Sequence, residues 1–102
     1  GIEKYKGAYI VYSLANFCFG GNTNPPDKDT MIYQQTFTFK KNKLQKSNDA
    51  KIIPCKVSST NSINNYQPTP AKGKAKKRIL AKMNRYCKPF NVHFNKKGKV
   101  ER

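Results

Sequence analysis

The sequence predicts an α+β fold, a mostly antiparallel β-sheet with one C-terminal amphipathic helix. Apolar and β-branched residues recur with a period of two in the first half of the chain, which is the period of strands. Clusters of Gly, Pro, Asn and Lys separate these runs as turns. After residue 70 the apolar residues take up the spacing of a helix.

The chain has 102 residues, which corresponds to one domain at most. We divide residues 1–102 into strands at 1–59, a loop at 60–70, a helix at 71–88 and a basic tail at 89–102. Hydrophobic residues make up 36% of the chain and are concentrated in a few runs, so we expect a modest core. No run of about 18 apolar residues occurs, so the sequence predicts no transmembrane helix.

The first hairpin is predicted from residues 2–5 and 8–19, joined by a turn at Lys6-Gly7. Residues 9–19 are apolar on both faces, which is typical of a central strand covered on both sides. Asn16 lies within this run, and a buried amide without partners costs a few kcal/mol. We therefore expect Asn16 either to tie down a neighbouring loop or to face a polar site.

Two further strands follow a loop at 20–30, which Pro25-Pro26 keeps irregular. Residues 30–40 alternate as a half-buried strand, with Met31 and Tyr33 on one face and Ile32 on the other. A polar turn is predicted at 40–49. Another strand covers 50–59, where Pro54 favours an edge position or a bulge.

The helix is predicted to begin with Thr69 as its cap and Pro70 at its first position. Pro89 ends it. A short strand at 92–94 and a Lys-Lys-Gly turn at 96–98 follow. The apolar stripe of the helix consists of Ala75, Ile79, Leu80, Met83, Tyr86 and Cys87.

The charge is strongly asymmetric, with 21 Lys and Arg residues against five Asp and Glu residues, a net charge of +16. Residues 71–102 hold twelve of the basic residues. Such a surface attracts polyanions, although a lysine-rich solvated surface is the simpler interpretation. Nucleic acid is disfavoured as a partner, because no recognition motif is present and only three residues are Arg. The residues predicted to contact a polyanion are Lys74, Lys77, Arg78, Lys82 and Arg85.

Candidates for catalysis or metal binding are few. The three cysteines are widely spaced in apolar runs, so we interpret them as small buried hydrophobic residues, with one disulfide as the alternative. They are Cys18, Cys55 and Cys87. His93 is interpreted as an exposed or packed residue rather than a base. Asp27 and Asp29 could attract Ca²⁺, but two acids are too few for a cage. We therefore expect no catalytic residue, metal site or cofactor in this chain.

The order of several segments resembles the CapA-type capsule biosynthesis proteins, which serve poly-γ-glutamate synthesis and are related to calcineurin-like metallophosphatases. The resemblance covers nearly the whole chain in order. Ala15 stands where the family pattern has glycine. The segments that carry the resemblance are GIEKYKGA at 1–8, YSLANF at 12–17, GGN at 20–22, KIIPCKV at 51–57 and NYQPTP at 65–70.

The resemblance implies that this is the C-terminal part of a metallophosphatase-like αββα sandwich. The His-x-His signature and the other presumed metal ligands would precede Gly1, so we expect a C-terminal piece of a larger bacterial protein whose divalent metal is held upstream. The piece alone would have no hydrolase activity, and whether the parent is an enzyme stays open. By the same resemblance, Asn16 would face the substrate or the metal ligands, and Gly20, Gly21 and Asn22 would line the cleft rim.

The partners that follow are an anionic polymer, either poly-γ-glutamate or a cell-wall polyanion, and the upstream portion of the same protein. Exposed sheet edges also predict self-association. The resemblance places the parent at the cell surface or outside the cell, associated with the membrane through upstream sequence. The alternative is an independent basic module at the cell surface that holds an anionic polymer on residues 71–102.

Overall fold

The computed structural model describes residues 1–45 and 49–101. The predicted turn at 40–49 and the predicted basic tail at 89–102 each include residues outside this described part. The described elements, in chain order, are β1 (Ile2–Tyr5), β2 (Ala8–Val11), β3 (Asp29–Gln35), β4 (Phe39–Lys40), β5 (Lys43–Leu44), β6 (Ala50–Lys56), β7 (Thr69–Pro70), α1 (Gly73–Cys87), a 3₁₀ turn (Lys88–Phe90), β8 (His93–Phe94) and β9 (Val100–Glu101).

The predicted α+β class is confirmed, because the strands pair antiparallel and the described residues contain one α-helix, which is followed by the β8–β9 hairpin. The sheet is divided, however. Strands β3, β6 and β7 form a three-stranded sheet with β6 in the centre, while β1–β2, β4–β5 and β8–β9 are separate hairpins. A hairpin alone is marginally stable in water, so β1–β2 and β8–β9 depend on packing against the helix and the sheet.

The core lies between α1 and the sheet. Its buried members come from both ends of the chain as well as the middle. Asn84 of α1 accepts a hydrogen bond from Phe94 N (2.8 Å) and donates one to Phe94 O (2.9 Å), which fixes β8 against the helix. The tail after Pro89 therefore belongs to the core. The buried cluster consists of Ile2, Met31, Ile52, Leu80, Cys87, Val92 and Phe94.

The β8–β9 hairpin contacts β6 through a close backbone approach at Gly98. Ile52 N donates to Gly98 O at 2.8 Å. Gly98 has φ +80°, and a Cβ there would lie 2.1 Å from Ile52 O. Only glycine fits this position, because both the backbone conformation and the space exclude a side chain.

The prediction of a long strand at 8–19 is wrong beyond Val11, where β2 ends. β1 offers only four residues for pairing, and Val11 is already opposite Ile2 at its start. Ala15 then has φ +59°, a left-handed conformation that interrupts any extended run. Residues 12–18 are exposed rather than buried on both faces, with Leu14 59% exposed.

The strand predicted at 30–40 ends at Gln35. Its alternation is confirmed where the strand exists, since Met31 is buried and Ile32 is 40% exposed. The β4–β5 hairpin follows, with Phe39 at the end of the predicted strand and its other residues in the predicted polar turn. Its turn residues Lys41 and Asn42 both have positive φ, the conformation that matches the twist of paired strands.

Pro54 does not lie on an edge strand as predicted, because β6 is the central strand. Ala71 N donates to Pro54 O at 2.8 Å, so the side of Pro54 that lacks an N–H faces the end of the two-residue strand β7. The cost of the missing donor is small there, since pairing on that side stops at Pro54. Strand β6 also ends at Lys56, three residues earlier than predicted.

The helix begins later than predicted. Thr69 and Pro70 form β7 and pair with β6, so neither one caps the helix. Lys72 is the N-cap residue and makes no side-chain capping bond. The predicted stripe is otherwise largely correct: Ile79, Leu80 and Cys87 are buried and Ala75 and Met83 are half-buried, whereas Tyr86 is 49% exposed.

Candidate functional site

Two aspartates, at and just before the start of β3, and two basic residues of α1 form a cluster of ion pairs. Asp29 opens β3, and its side chain is only 9% exposed. Arg78 donates to both of its oxygens, from Nη2 at 2.6 Å and from Nε at 3.2 Å. Lys82 Nζ lies 2.6 Å from Asp29 Oδ2 and 3.1 Å from Asp27 Oδ2. Arg78 and Lys82 are four residues apart, so one helix face presents both to the same carboxylate.

The cluster shifts the pKa of its members in the directions that favour charge. The hydrogen bond from Arg78 lowers the pKa of Asp29, with Lys82 adding to the effect against the opposing effect of burial. The hydrogen bond to Asp29 in turn raises the pKa of Arg78 and of Lys82. All three groups are therefore charged at neutral pH, and the two predicted polyanion contacts Arg78 and Lys82 already have anionic partners.

A groove of about 500 Å³ borders this cluster, between the loop before β3, the end of β6 and the first turns of α1. Four basic residues from three segments line it together with Asp27 and Asp29. Lys28 Nζ is held by Asn24 Oδ1 (2.7 Å) and Pro25 O (3.0 Å). The basic residues of the groove are Lys28, Lys56, Lys74 and Arg78.

The end of the groove at the start of α1 is the part most open to a ligand. The side chain of Lys74 is exposed and makes no hydrogen bond or ion pair among the described residues, whereas Lys56 Nζ contacts Asn61 Oδ1. The first turn of α1 contains no acidic residue and has no side-chain cap, so its positive end is not neutralised locally. This arrangement can hold carboxylate or phosphate groups through charge and N–H donors.

A second cavity, of about 230 Å³, borders the same cluster on the side of Lys82. Its lining is mostly apolar and includes Met31, Ile79 and Met83, with Ser13 from the segment after β2. Thr30 also lines it and has a buried hydroxyl oxygen with no hydrogen-bond partner among the described residues. That oxygen is closed to solvent, so we assign it no ligand.

The predicted cleft residues do not converge with the basic groove. Asn16, Gly20, Gly21 and Asn22 are all exposed and none of them lines the groove or the cavity described above. Asn16 therefore is not the buried amide that the apolar run predicted. Among the predicted polyanion contacts, Lys74 and Arg78 line the groove, whereas Lys77 and Arg85 are exposed elsewhere on the helix.

The amide that ties down the loop is Asn64, which the sequence interpretation missed. Asn64 is 5% exposed, and its Nδ2 donates to Phe19 O and Asn22 O, each at 3.4 Å. Its backbone N donates to Thr23 O at 2.7 Å. Asn64 thereby joins the polar loop at 20–24 to the loop before β7. Asn64 lies in a Ser/Asn-rich stretch without hydrophobic periodicity, so the sequence pattern did not indicate that it is buried.

The remaining candidates occupy ordinary structural positions. Cys55 and Cys87 are buried as predicted, but Cys18 is exposed, and all three are free thiols. His93 is exposed beside Glu101, with Nε2 3.4 Å from the carboxylate. Within residues 1–45 and 49–101 no group of three His, Cys, Asp or Glu residues could hold a metal ion. Asp27 and Asp29 do not fit a cation site, because the Lys82 ammonium occupies the position between them.

Comparison with models of known families, with curated proteins and with solved structures finds no match to this chain. The resemblance to the capsule biosynthesis proteins therefore depends on the sequence segments alone. In the described part of the chain, no helix has both the length and the apolar character needed to cross a bilayer.

Proposed function

We propose that this chain is the C-terminal portion of a bacterial poly-γ-glutamate capsule biosynthesis protein of the metallophosphatase-like class, and that it holds the anionic polymer at the cell surface. The observation that carries the proposal is the groove, where basic residues from three separate segments meet. A polymer with a carboxylate at every residue would place successive charges along Lys28, Lys56 and Lys74.

The backbone at Ala15 supports the family assignment. The family pattern has glycine at this position, and Ala15 adopts φ +59°, a conformation that glycine tolerates best. The GIEKYKGA segment also forms the hairpin expected of it, with Lys6 and Gly7 as the turn. The αββα sandwich and a role near a cleft for Asn16 and for residues 20–22 remain parts of the proposal.

The divalent metal that the resemblance implies does not fit the described residues. We therefore assign it to upstream residues, and no step of the proposed function passes through it. The contribution of this chain is binding: the ammonium of Lys74 and the first-turn N–H groups of α1 attract carboxylates, and the ion pairs with Asp29 fix the groove's shape.

Binding of fluorescently labelled poly-γ-glutamate, followed by anisotropy at low salt, tests the groove. Lys74→Gln should weaken binding about fivefold, because two unit charges 4 Å apart in water interact by about 1 kcal/mol. Lys97→Gln removes the same charge from an exposed turn and serves as the control. Equal losses in both variants would contradict a defined groove and support a diffuse basic surface.

The salt dependence and the choice of polymer provide a second test. Exposed lysines act through screened charge, so affinity should fall steeply between low and near-physiological salt. Affinity that survives the higher salt and prefers one polymer over DNA would favour the alternative, an independent module dedicated to polyanions. One structural observation favours that alternative: the groove is built wholly from this chain's own residues.

The gene sequence tests the assignment of the parent protein. The reading frame upstream of the Gly1 codon should encode a His-x-His signature, and deletion of the codons for residues 1–102 should reduce cell-bound poly-γ-glutamate. A stop codon or an unrelated domain directly upstream would overturn the family assignment while leaving the polymer-binding test intact.

A further inference from the structure

The β4–β5 hairpin exposes an apolar face that nothing in the described chain covers. Phe39 is 65% exposed and Leu44 is 55% exposed, and the two are paired across the hairpin, so they share one face. Phe37, two residues before Phe39, is 54% exposed. Three large apolar side chains thus project from a short hairpin into solvent, which is more than the scattered single exposures that surfaces normally show.

The apolar face borders a groove that continues to the β1–β2 turn. Phe37 and Leu44 line this groove of about 360 Å³ from one side, and Lys6 and Tyr9 line it from the other. Tyr5, in the same β1–β2 hairpin, is 52% exposed, and the Lys6 ammonium lies 5.3 Å from its ring centroid. The surface therefore combines aromatic rings with the Lys6 ammonium on one rim.

The charge around this surface is mostly positive, with Asp49, whose backbone oxygen accepts from Thr36 N at the base of the hairpin, as an exception. Lys40 and Lys43 pair on the opposite face of the hairpin, and Lys41 occupies its turn. The sequence contains no Asp or Glu in residues 4–26 or in residues 30–48. Glu3 of β1 accepts a hydrogen bond from Tyr12. The partner of this surface must therefore be negatively charged and must also accept apolar side chains.

We propose that the β4–β5 hairpin and the adjoining Lys6 turn form a docking surface for an anionic lipid bilayer. Phe37, Phe39 and Leu44 would enter the boundary between headgroups and acyl chains, and the long side chains of Lys40, Lys41 and Lys43 would extend to the headgroup phosphates. This inference goes beyond the proposed function and does not depend on it.

Two features favour lipid over other partners. A polycarboxylate would satisfy the lysines but would leave Phe39 and Leu44 in water. Protein–protein interfaces are depleted in Lys and usually match charges of both signs, whereas here the charge is mostly positive. Basic residues beside Phe and Leu are the combination that binds membrane surfaces.

Tryptophan fluorescence tests the inference directly, since the chain contains no Trp. Phe39→Trp places a single fluorophore on the hairpin, and Ile63→Trp, at a residue 52% exposed in the loop before β7, is the control. With vesicles of phosphatidylcholine and phosphatidylglycerol, Phe39→Trp emission should shift to shorter wavelength and be quenched by brominated acyl chains, whereas Ile63→Trp emission should not. Pure phosphatidylcholine vesicles should give a much weaker effect.

Charge variants then separate docking at the hairpin from general cationic attraction. Lys40→Gln/Lys43→Gln should weaken vesicle binding about 25-fold, at about fivefold for each lysine near an anionic surface. Lys77→Gln/Lys88→Gln removes the same charge from exposed positions at α1 and should have a much smaller effect. Circular dichroism melting of each variant checks that it is folded.

Three results would overturn the inference. The first is no spectral shift with anionic vesicles at low salt. The second is equal loss of binding in both double variants. The third is a shift of Phe39→Trp emission that grows with protein concentration in the absence of lipid, because that result would assign the hairpin to self-association.

Discussion

Arg78 and Asp29, 49 residues apart in the sequence, form a two-point ion pair in which the guanidinium donates to both carboxylate oxygens. The pair fixes the start of β3 against the second turn of α1. Because Lys82 binds the same carboxylate, Asp29 joins the loop at 26–29 to one face of the helix at two points.

Replacing the carboxylate should destabilise the fold. Asp29→Asn keeps the shape but removes the charge from a side chain that is 9% exposed and faces two cations. We expect the free energy of unfolding to fall by about 1–3 kcal/mol, the usual range for hydrogen bonds to charged groups. Urea denaturation measures it. Asp27→Asn, at a side chain 66% exposed, is the control and should change stability by about 0.5 kcal/mol or less. Equal effects of the two variants would contradict the central role of Asp29.

The same carboxylate predicts a dependence of stability on acid. Its pKa is lowered in the folded state by Arg78, so the unfolded chain takes up the proton first as the pH falls. The stabilisation is complete above the unfolded pKa of about 4 and is lost as the pH falls through the lower, folded pKa. The difference in unfolding free energy between the parent and Asp29→Asn should therefore be constant above about pH 5 and shrink below about pH 4. A constant difference down to pH 2 would contradict this linkage.

The sequence predicted a loop-anchoring role for Asn16, whereas the structure gives that role to Asn64, and substitutions can compare the two residues directly. Asn64→Leu should lower the unfolding free energy by about 1–3 kcal/mol, because the buried Asn64 amide would no longer donate to Phe19 O and Asn22 O. Asn16→Leu should leave the melting temperature unchanged, since Asn16 is exposed. Thermal unfolding of both variants distinguishes them. A lower melting temperature of Asn16→Leu would support the buried strand that the sequence predicted.

The sequence predicted those elements whose pattern is local. The Lys6-Gly7 hairpin, the alternation at Met31 and Tyr33, and the stripe of Ile79 and Leu80 each follow from a backbone period that a few residues determine. Predictions failed where pairing depends on a distant segment. Residues 12–19 are mostly apolar, but β1 is too short to pair with them. Thr69 and Pro70 pair with β6, so the helix does not begin there.

The candidate site shows the same division. Excess positive charge on α1 was evident from composition, but the position of Asp29 beside Arg78 and Lys82 was not. Two signals could have predicted the cluster: two of the chain's five acidic residues lie within three positions, and the two basic residues are one helical turn apart. Asn64 gave no such signal, because its role depends on loop geometry.

The three cysteines should differ in reactivity. Cys18 is exposed, whereas Cys55 is 1% exposed and burial raises the pKa of its thiol. Cys87 is fully buried, and its Sγ accepts a hydrogen bond from Ile2 N at 3.3 Å. A thiol reagent added to the native protein should therefore modify one cysteine rapidly and all three after denaturation. The Cys18→Ser variant should lose the rapid reaction, and two rapid thiols in the native parent would contradict the packing of β6 or α1.

The backbone at Ala15 provides a test that joins structure to family resemblance. At φ +59° an L-residue with a Cβ is strained by about 1–2 kcal/mol, which glycine relieves, while glycine also costs up to about 1 kcal/mol in unfolded-chain entropy. Ala15→Gly should therefore raise the unfolding free energy by about 0.5–1 kcal/mol. Ala81→Gly, at an exposed position within α1, is the matched control and should lower it by about 1 kcal/mol, since glycine disfavours a helix interior. If both variants lose stability equally, residue 15 has an ordinary backbone conformation, and the glycine of the family pattern has no structural counterpart here.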